Sequence, residues 1–406
     1  MNKAIIKTQY RLYVFLLVIV FIGDILRRIA MHFDYSFIRY TTLSKTVFVL
    51  VSFLCLIFLF RKITFKNNLK VNIIKLMLSL SLIYILGHFY FTNNSSIAIL
   101  CENFIFLAKY LFFPYLLILF LDLRKEALSI QRLLKFFEIL FFINLGAIII
   151  GYIFSIDMFL TYDSGKRFGY KGIYSMSGQT SIYFILMVLY YLHKIIFKKY
   201  SLIIFLKLII VILGSFLIGT KRIYLFVPML IVYYFFFLGG YKKKITYQLS
   251  VPVSLLAFLL FITIKKDLQK TFDVLYSIYE TKGLLSSLTS YRSDLFTRIY
   301  STTIVNDWTF WNFLFGGLNF SEQRTEMGFV DLFLFFGVIG FLIYLYFYKV
   351  LFQFKFSHSF YWFFIFSLFA IVFLADAFIL EANTPILFLL LCFHFYNHEQ
   401  GHSVDS

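Results

Sequence analysis

The chain has 406 residues, of which 61% are hydrophobic, 22% aromatic and only 14% charged, and its mean hydropathy is +0.85. That is more apolar surface than one water-soluble core can bury, so a bilayer must serve as its solvent. The formal charge of +18 does not point to nucleic acid, because the basic residues lie in short clusters between apolar stretches, where membrane topology accounts for most of them.

Crossing the hydrocarbon layer takes roughly 20 apolar residues. About twelve segments meet that description, with limits 12–30, 43–60, 73–91, 104–121, 136–156, 178–197, 203–219, 223–240, 247–264, 328–348, 360–380 and 384–397, the last of them short. The first follows Lys3, Lys7 and Arg11, and Asp24, Arg27 and Arg28 stand where a signal peptide would need small residues for cleavage; it reads as a retained span. Basic residues in 61–75, 124–135, 194–207, 242–244 and 349–355 mark these as cytoplasmic loops, together with the N-terminus. The expected fold is therefore an all-α, polytopic transmembrane helical bundle of about twelve spans with both ends inside. It divides into nine spans with short loops at 1–264, one large extracytoplasmic loop at 265–327, and three spans with a cytoplasmic tail at 328–406. The long loop is electrically balanced, and its run 290–305 has apolar residues at helical spacing, which predicts a helix along the membrane surface. Cys55, Cys101 and Cys392 show no CxxC or Cys/His spacing, so neither a disulfide framework nor a metal site is expected.

Chemistry is sought first among the outer-facing cations, which the orientation rule disfavours. Arg167 and Lys171 lie in one short loop, Lys221 and Arg222 in another. A guanidinium binds phosphate oxygens in a bidentate way and keeps its charge when partly desolvated, so an anionic ligand such as a lipid diphosphate suits these positions. Arg222 has no acid at i±3 or i±4, and either a substrate phosphate or a lipid headgroup answers it. Arg292 likewise lacks a helical acid partner, whereas Arg298 is expected to pair with Asp294 one turn earlier. In the stretch 167–179, Gly178 and Gln179 lead directly into a span, where the backbone can approach a ligand closely; a pairing of Arg167 with Asp163 is the competing structural role. Glu322, Glu326 and Asp331 surround the start of the tenth span. A carboxylate near hydrocarbon can serve as a general base, or can simply complement the helix dipole. Gly337 and Gly340 predict a close helix approach. Tyr291, Trp308 and Trp311 are candidates for sugar stacking or interfacial anchoring.

Four stretches of this sequence resemble the O-antigen polymerase (Wzy) family, with the O-antigen ligases as neighbours in the same superfamily: 167–179, the turn 219–222, 290–294, and 326–340 within the run TEMGFVDLFLFFGVIG that starts at Thr325. Family polymerases carry functional arginines in two outer loops, one version being Arg, ten residues, then Gly; Arg167 and Gly178 meet that spacing, while the long loop departs from it. Ligases usually place a histidine in the large outer loop, and this loop offers Glu326 instead. The resemblance implies transfer of a growing glycan from undecaprenyl diphosphate to a hydroxyl of another lipid-linked repeat unit, on the outer face of a bacterial cytoplasmic membrane. It implies that Arg167, Arg222 and Arg292 hold the diphosphate, that Lys171, Gly178, Gln179, Lys221 and Arg298 help bind substrate, and that Glu326 or Asp331 assists the acceptor hydroxyl. No cofactor or metal is expected. The implied partners are the lipid-linked oligosaccharide, membrane lipid, a chain-length regulator and a flippase, and no nucleic acid. A flippase and an O-antigen ligase are the competing functions; a flippase would be expected to show two comparable halves.

Overall fold

A computed structural model of the chain describes residues 3–33, 35, 40–60, 67–91, 97–162, 167–197, 201–239, 244–352, 358–375, 378–380 and 383–399. Among the described residues there is no strand; a single antiparallel bridge joins Leu160 and Tyr170. The helices are α1 (Lys3–His32), α2 (Tyr40–Cys55), α3 (Asn68–Ile85), α4 (Ile97–Phe120), α5 (Ala127–Ile153), α6 (Ser177–Phe197), α7 (Leu202–Phe216), α8 (Lys221–Val232), α9 (Lys244–Thr289), α10 (Arg292–Ile299), α11 (Phe310–Phe315), α12 (Gly328–Leu351), α13 (Ser359–Ala375) and α14 (Thr384–Glu399). Helix is what lipid demands, because a backbone without water must satisfy its own N–H and C=O groups.

Among the described residues a helix overlaps each of the twelve expected segments. Six of these helical stretches are long and apolar enough to cross a membrane: Tyr40–Phe58, Asn68–Tyr90, Ile97–Lys125, Ala127–Ile153, Ser177–Phe197 and Gly328–Leu351. The chain is thus an all-α, multi-pass membrane protein. Burial separates its helices into two kinds. Every residue of α6 from Gly178 to His193 is buried, as is every residue of α14 from Thr384 to Phe395. A helix that is apolar on all sides belongs in the middle of the protein, and α14 can be short because protein surrounds it. By contrast, α2 and α3 leave Leu50, Phe53, Leu54, Leu78 and Leu82 exposed, as a lipid-facing surface requires.

Two segments differ from expectation. The helix expected at 247–264 does not stop there: α9 continues to Thr289, with non-helical angles at Gly283 (φ 84°, ψ 177°). No proline or glycine falls between 253 and 282 to break it. The second is the approach to Gly337, which is itself non-helical (φ 68°, ψ −173°) and kinks α12. A Cβ there would lie 2.3 Å from the Leu314 carbonyl, so this glycine admits α11, a short helix of the long loop that dips into the bundle. It does not serve the packing of two long helices. Asn103 of α4 secures the same segment, donating from Nδ2 to Asn319 Oδ1 at 2.7 Å and accepting from the Phe320 N–H at 2.8 Å.

Candidate functional site

The loop residues 154–162 and 167–176, the turn 217–222 and the segment 283–327 gather at one end of the bundle. The first two cross backbone against backbone. Tyr170 N–H donates to the Leu217 carbonyl at 2.8 Å, and Thr161 Oγ1 donates to the Ile218 carbonyl at 3.0 Å. Two glycines make the approach possible. A Cβ at Gly219 (φ 67°) would stand 1.9 Å from the Phe168 carbonyl oxygen, and one at Gly169 (φ 151°) 2.2 Å from that of Ile218. Arg167 precedes this crossing in one loop and Lys221 follows it in the other, so the crossing sets the two cations together.

The long loop supplies the third cation. Phe168 N–H donates to Thr271 Oγ1 of α9 at 3.1 Å, and the Lys221 ammonium donates to the Ser287 carbonyl. Ser290 and Tyr291 then take left-handed conformations (φ 56° and 68°) and turn the chain into α10. Arg292 is the first residue of that helix, and its Nη1 donates to the Thr289 carbonyl at 3.3 Å. Lys221, ahead of the apolar part of α8, has its pKa pushed down to about 8, first by burial and then by the charges of Arg167 and Arg292. Lys221 thus lies within electrostatic reach of both Arg167 and Arg292, which stand more than a hundred positions apart in the chain.

A carboxylate faces this cluster. Glu326 Oε2 lies 3.5 Å from Arg292 Nη2, and its Oε1 lies 3.7 Å from Arg324 Nη2. Glu326 is half exposed and has a left-handed backbone (φ 59°). Such a conformation costs a non-glycine residue about 1–3 kcal/mol and persists only where neighbours over-determine it. Asp331 is that neighbour. Fully buried, it accepts the Thr325 N–H at 2.8 Å and the Thr325 hydroxyl at 2.6 Å on one oxygen, while Met327 N–H donates to the same hydroxyl at 3.1 Å. Asp331 therefore braces the turn that presents Glu326.

The remaining expected residues are distributed around this centre. Arg222 donates from Nη1 to Ser181 Oγ of α6 at 3.2 Å. Lys171 is buried; its N–H donates to the Phe159 carbonyl at 2.8 Å, and its carbonyl accepts from Asn144 Nδ2 at 3.4 Å. The Gly178 carbonyl accepts the Ser181 hydroxyl at 2.9 Å in the first turn of α6. Gln179 is buried, donating from Nε2 to Asp24 Oδ2 at 2.9 Å and accepting from Asn383 Nδ2 at 3.1 Å. The expected Asp294–Arg298 pair does not form: Asp294 accepts the Ser286 hydroxyl at 2.5 Å, and Arg298 is exposed. Helical spacing permits such a pair, but the turn at Ser290 and Tyr291 brings Ser286 closer. Trp311 stacks on Phe91 with centroids 5.4 Å apart, and Trp308 meets Phe313 edge-on at 5.2 Å. Asp163, the alternative partner of Arg167, lies outside the described residues.

Sequence reasoning did not single out Arg324 and Thr325. Their signal was proximity to Glu326, since a residue flanking a suspected base is placed to hold it. Among the described residues no three His, Cys, Asp or Glu side chains are arranged to hold a metal ion. Compared with protein-family models, curated proteins and solved structures, the chain matches none.

Proposed function

We propose that this chain is a polysaccharide polymerase of O-antigen or capsule type, a membrane glycosyltransferase acting on undecaprenyl diphosphate-linked oligosaccharides. The observation that carries the reading is the convergence of Arg167, Lys221 and Arg292 opposite Glu326. Cations held against one another raise the free energy of the folded chain, and a diphosphate reverses that cost while gaining charge-assisted hydrogen bonds.

In the reaction, the acceptor hydroxyl oxygen bonds to the anomeric carbon of the donor glycan as that carbon's bond to the diphosphate oxygen breaks. The hydroxyl proton passes to Glu326, and undecaprenyl diphosphate leaves with its charge met by Arg292, Lys221 and Arg167. Glu326 and the incoming phosphate compete for the same guanidinium of Arg292, so donor binding releases the carboxylate for the acceptor. Removing one donor to a developing oxyanion typically lowers kcat by about 10²–10³. The accompanying topology is twelve spans in a bacterial cytoplasmic membrane with both termini inside, and the working partners are a flippase and a chain-length regulator.

Purified protein supplied with lipid-linked repeat units is expected to yield a ladder of products, and Arg292→Ala is expected to abolish it. An undiminished ladder from that variant at normal protein levels overturns the assignment. Transfer of substrate across the membrane with no ladder would make the protein a flippase instead.

A further inference from the structure

A second gathering of cations lies beside the first. Arg27 of α1, Lys45 of α2, Lys109 of α4 and Arg324 ahead of α12 border one cavity of about 140 Å³. Each of the four side chains is half-buried, so their fields are screened less than those of surface charges. Hydrogen-bonding groups complete the wall. Thr41 accepts from Arg27 Nη1 at 3.3 Å, and Gln179 and Asn383 form a buried floor tied to Asp24. Asp24 lies close enough to act on Arg27 and Lys45, and Glu326 lies against Arg324, so the four cations of the lining outnumber the two carboxylates beside them.

Position adds to composition. Arg324 lines this cavity and also lies 3.7 Å from Glu326, whose other oxygen faces Arg292 at 3.5 Å. Glu326 thus stands between two cationic centres contributed by different parts of the chain. A reaction between two lipid diphosphates needs two places for anionic headgroups.

We infer that the cavity formed by Arg27, Lys45, Lys109 and Arg324 is a second phosphate-binding site, and that it takes the diphosphate headgroup of the acceptor lipid-linked unit. Phosphate recognition there follows from the cavity alone, whereas the acceptor role rests on the polymerase reading.

The test is a titration of the full chain, in zwitterionic detergent, with farnesyl diphosphate. The wild type is expected to bind two equivalents. Lys45→Gln with Lys109→Gln is expected to bind one, as is Lys221→Met with Arg292→Ala, each pair removing a different site. One equivalent in the wild type, or two in the Lys45/Lys109 variant, overturns the inference. Should that double variant fail to fold, Lys109→Gln alone is expected to weaken the second equivalent at least about tenfold, and unchanged affinity overturns the inference equally. Inorganic pyrophosphate is expected to compete at both sites. Displacement from the cavity by phosphatidylglycerol micelles as effective as that by farnesyl diphosphate would overturn the lipid-diphosphate assignment. Two equivalents without any product ladder would leave the cavity standing and remove the polymerase reading; a ladder with an unaltered Lys45/Lys109 variant would do the reverse.

Discussion

The two ends of the bundle treat charge in opposite ways. At the end away from the loops, Lys70 is buried with its ammonium 2.5 Å from Asp122 Oδ2, an oxygen to which Gln9 Nε2 also donates at 3.2 Å. Nearby, Glu138 accepts the Tyr191 hydroxyl at 2.7 Å and meets the Lys207 ammonium. Each of these cations has its own carboxylate. At the loop end, Arg167 and Arg292 both bear on Lys221, and Glu326 is shared by two guanidinium groups. Paired charges complete a structure, whereas cations gathered together leave it short of negative charge. On the proposed reading, that shortage at the loop end is what a diphosphate answers.

That contrast can be broken by separating stability from activity. Asp122→Ala leaves the Lys70 ammonium buried without its partner, and breaking a buried pair costs about 3–5 kcal/mol; thermal unfolding in detergent is expected to show a large fall in Tm. Arg292→Ala should do the reverse, lowering turnover about 10²–10³-fold with Tm held or raised, because it relieves repulsion on Lys221. A matching loss of Tm in Arg292→Ala would place it with the structural cations. Arg292→Lys keeps the charge but not the planar fork, and its turnover is expected between those of Arg292→Ala and wild type.

The contrast can be sharpened through pH. The Lys221 ammonium is disfavoured in the folded chain, so deprotonation begins near pH 8 instead of near the ordinary lysine value of 10.5. Between those values the unfolded chain binds the extra proton and the folded one does not, so this group's contribution to stability rises with pH. Anion affinity moves the other way, falling roughly tenfold between pH 7 and pH 9 as one charge-assisted contact is lost. Lys221→Met is expected to flatten both profiles, as read by diphosphate titration and by Tm across pH. The smallest effect belongs to Glu138→Gln. Lys207 is 39% exposed and can find water, so Tm should move by no more than about 1 kcal/mol's worth.

Much of this molecule was legible before any coordinate. Apolar runs of span length foretold an all-α chain with several membrane-crossing helices, six of which are long and apolar enough to span, because only a helix satisfies the backbone within lipid. Arg167, Lys221, Arg292 and Glu326 were legible as exceptions, being charges where topology disfavours cations or where a carboxylate meets hydrocarbon. Other features were hidden. Nothing in the sequence distinguishes Asp331 from Glu326 as a base, and only the folded chain shows Asp331 buried with two bonds from Thr325. Arg27, Lys45 and Lys109 lie inside predicted apolar spans, where an ionisable side chain is already a functional signal, but nothing along the chain says that they share one cavity.

The amino-acid order settles the solvent, the helices and the roster of unusual charges, since these depend on local composition and on the backbone's need for hydrogen bonds. Which charges meet is settled only when the chain folds. Gly169 and Gly219 let two loops cross at backbone contact, Gly337 admits α11, and left-handed turns at Tyr291 and Glu326 aim Arg292 and its carboxylate at each other. Electrostatic energy depends on distance through space, and distance along the sequence does not carry it.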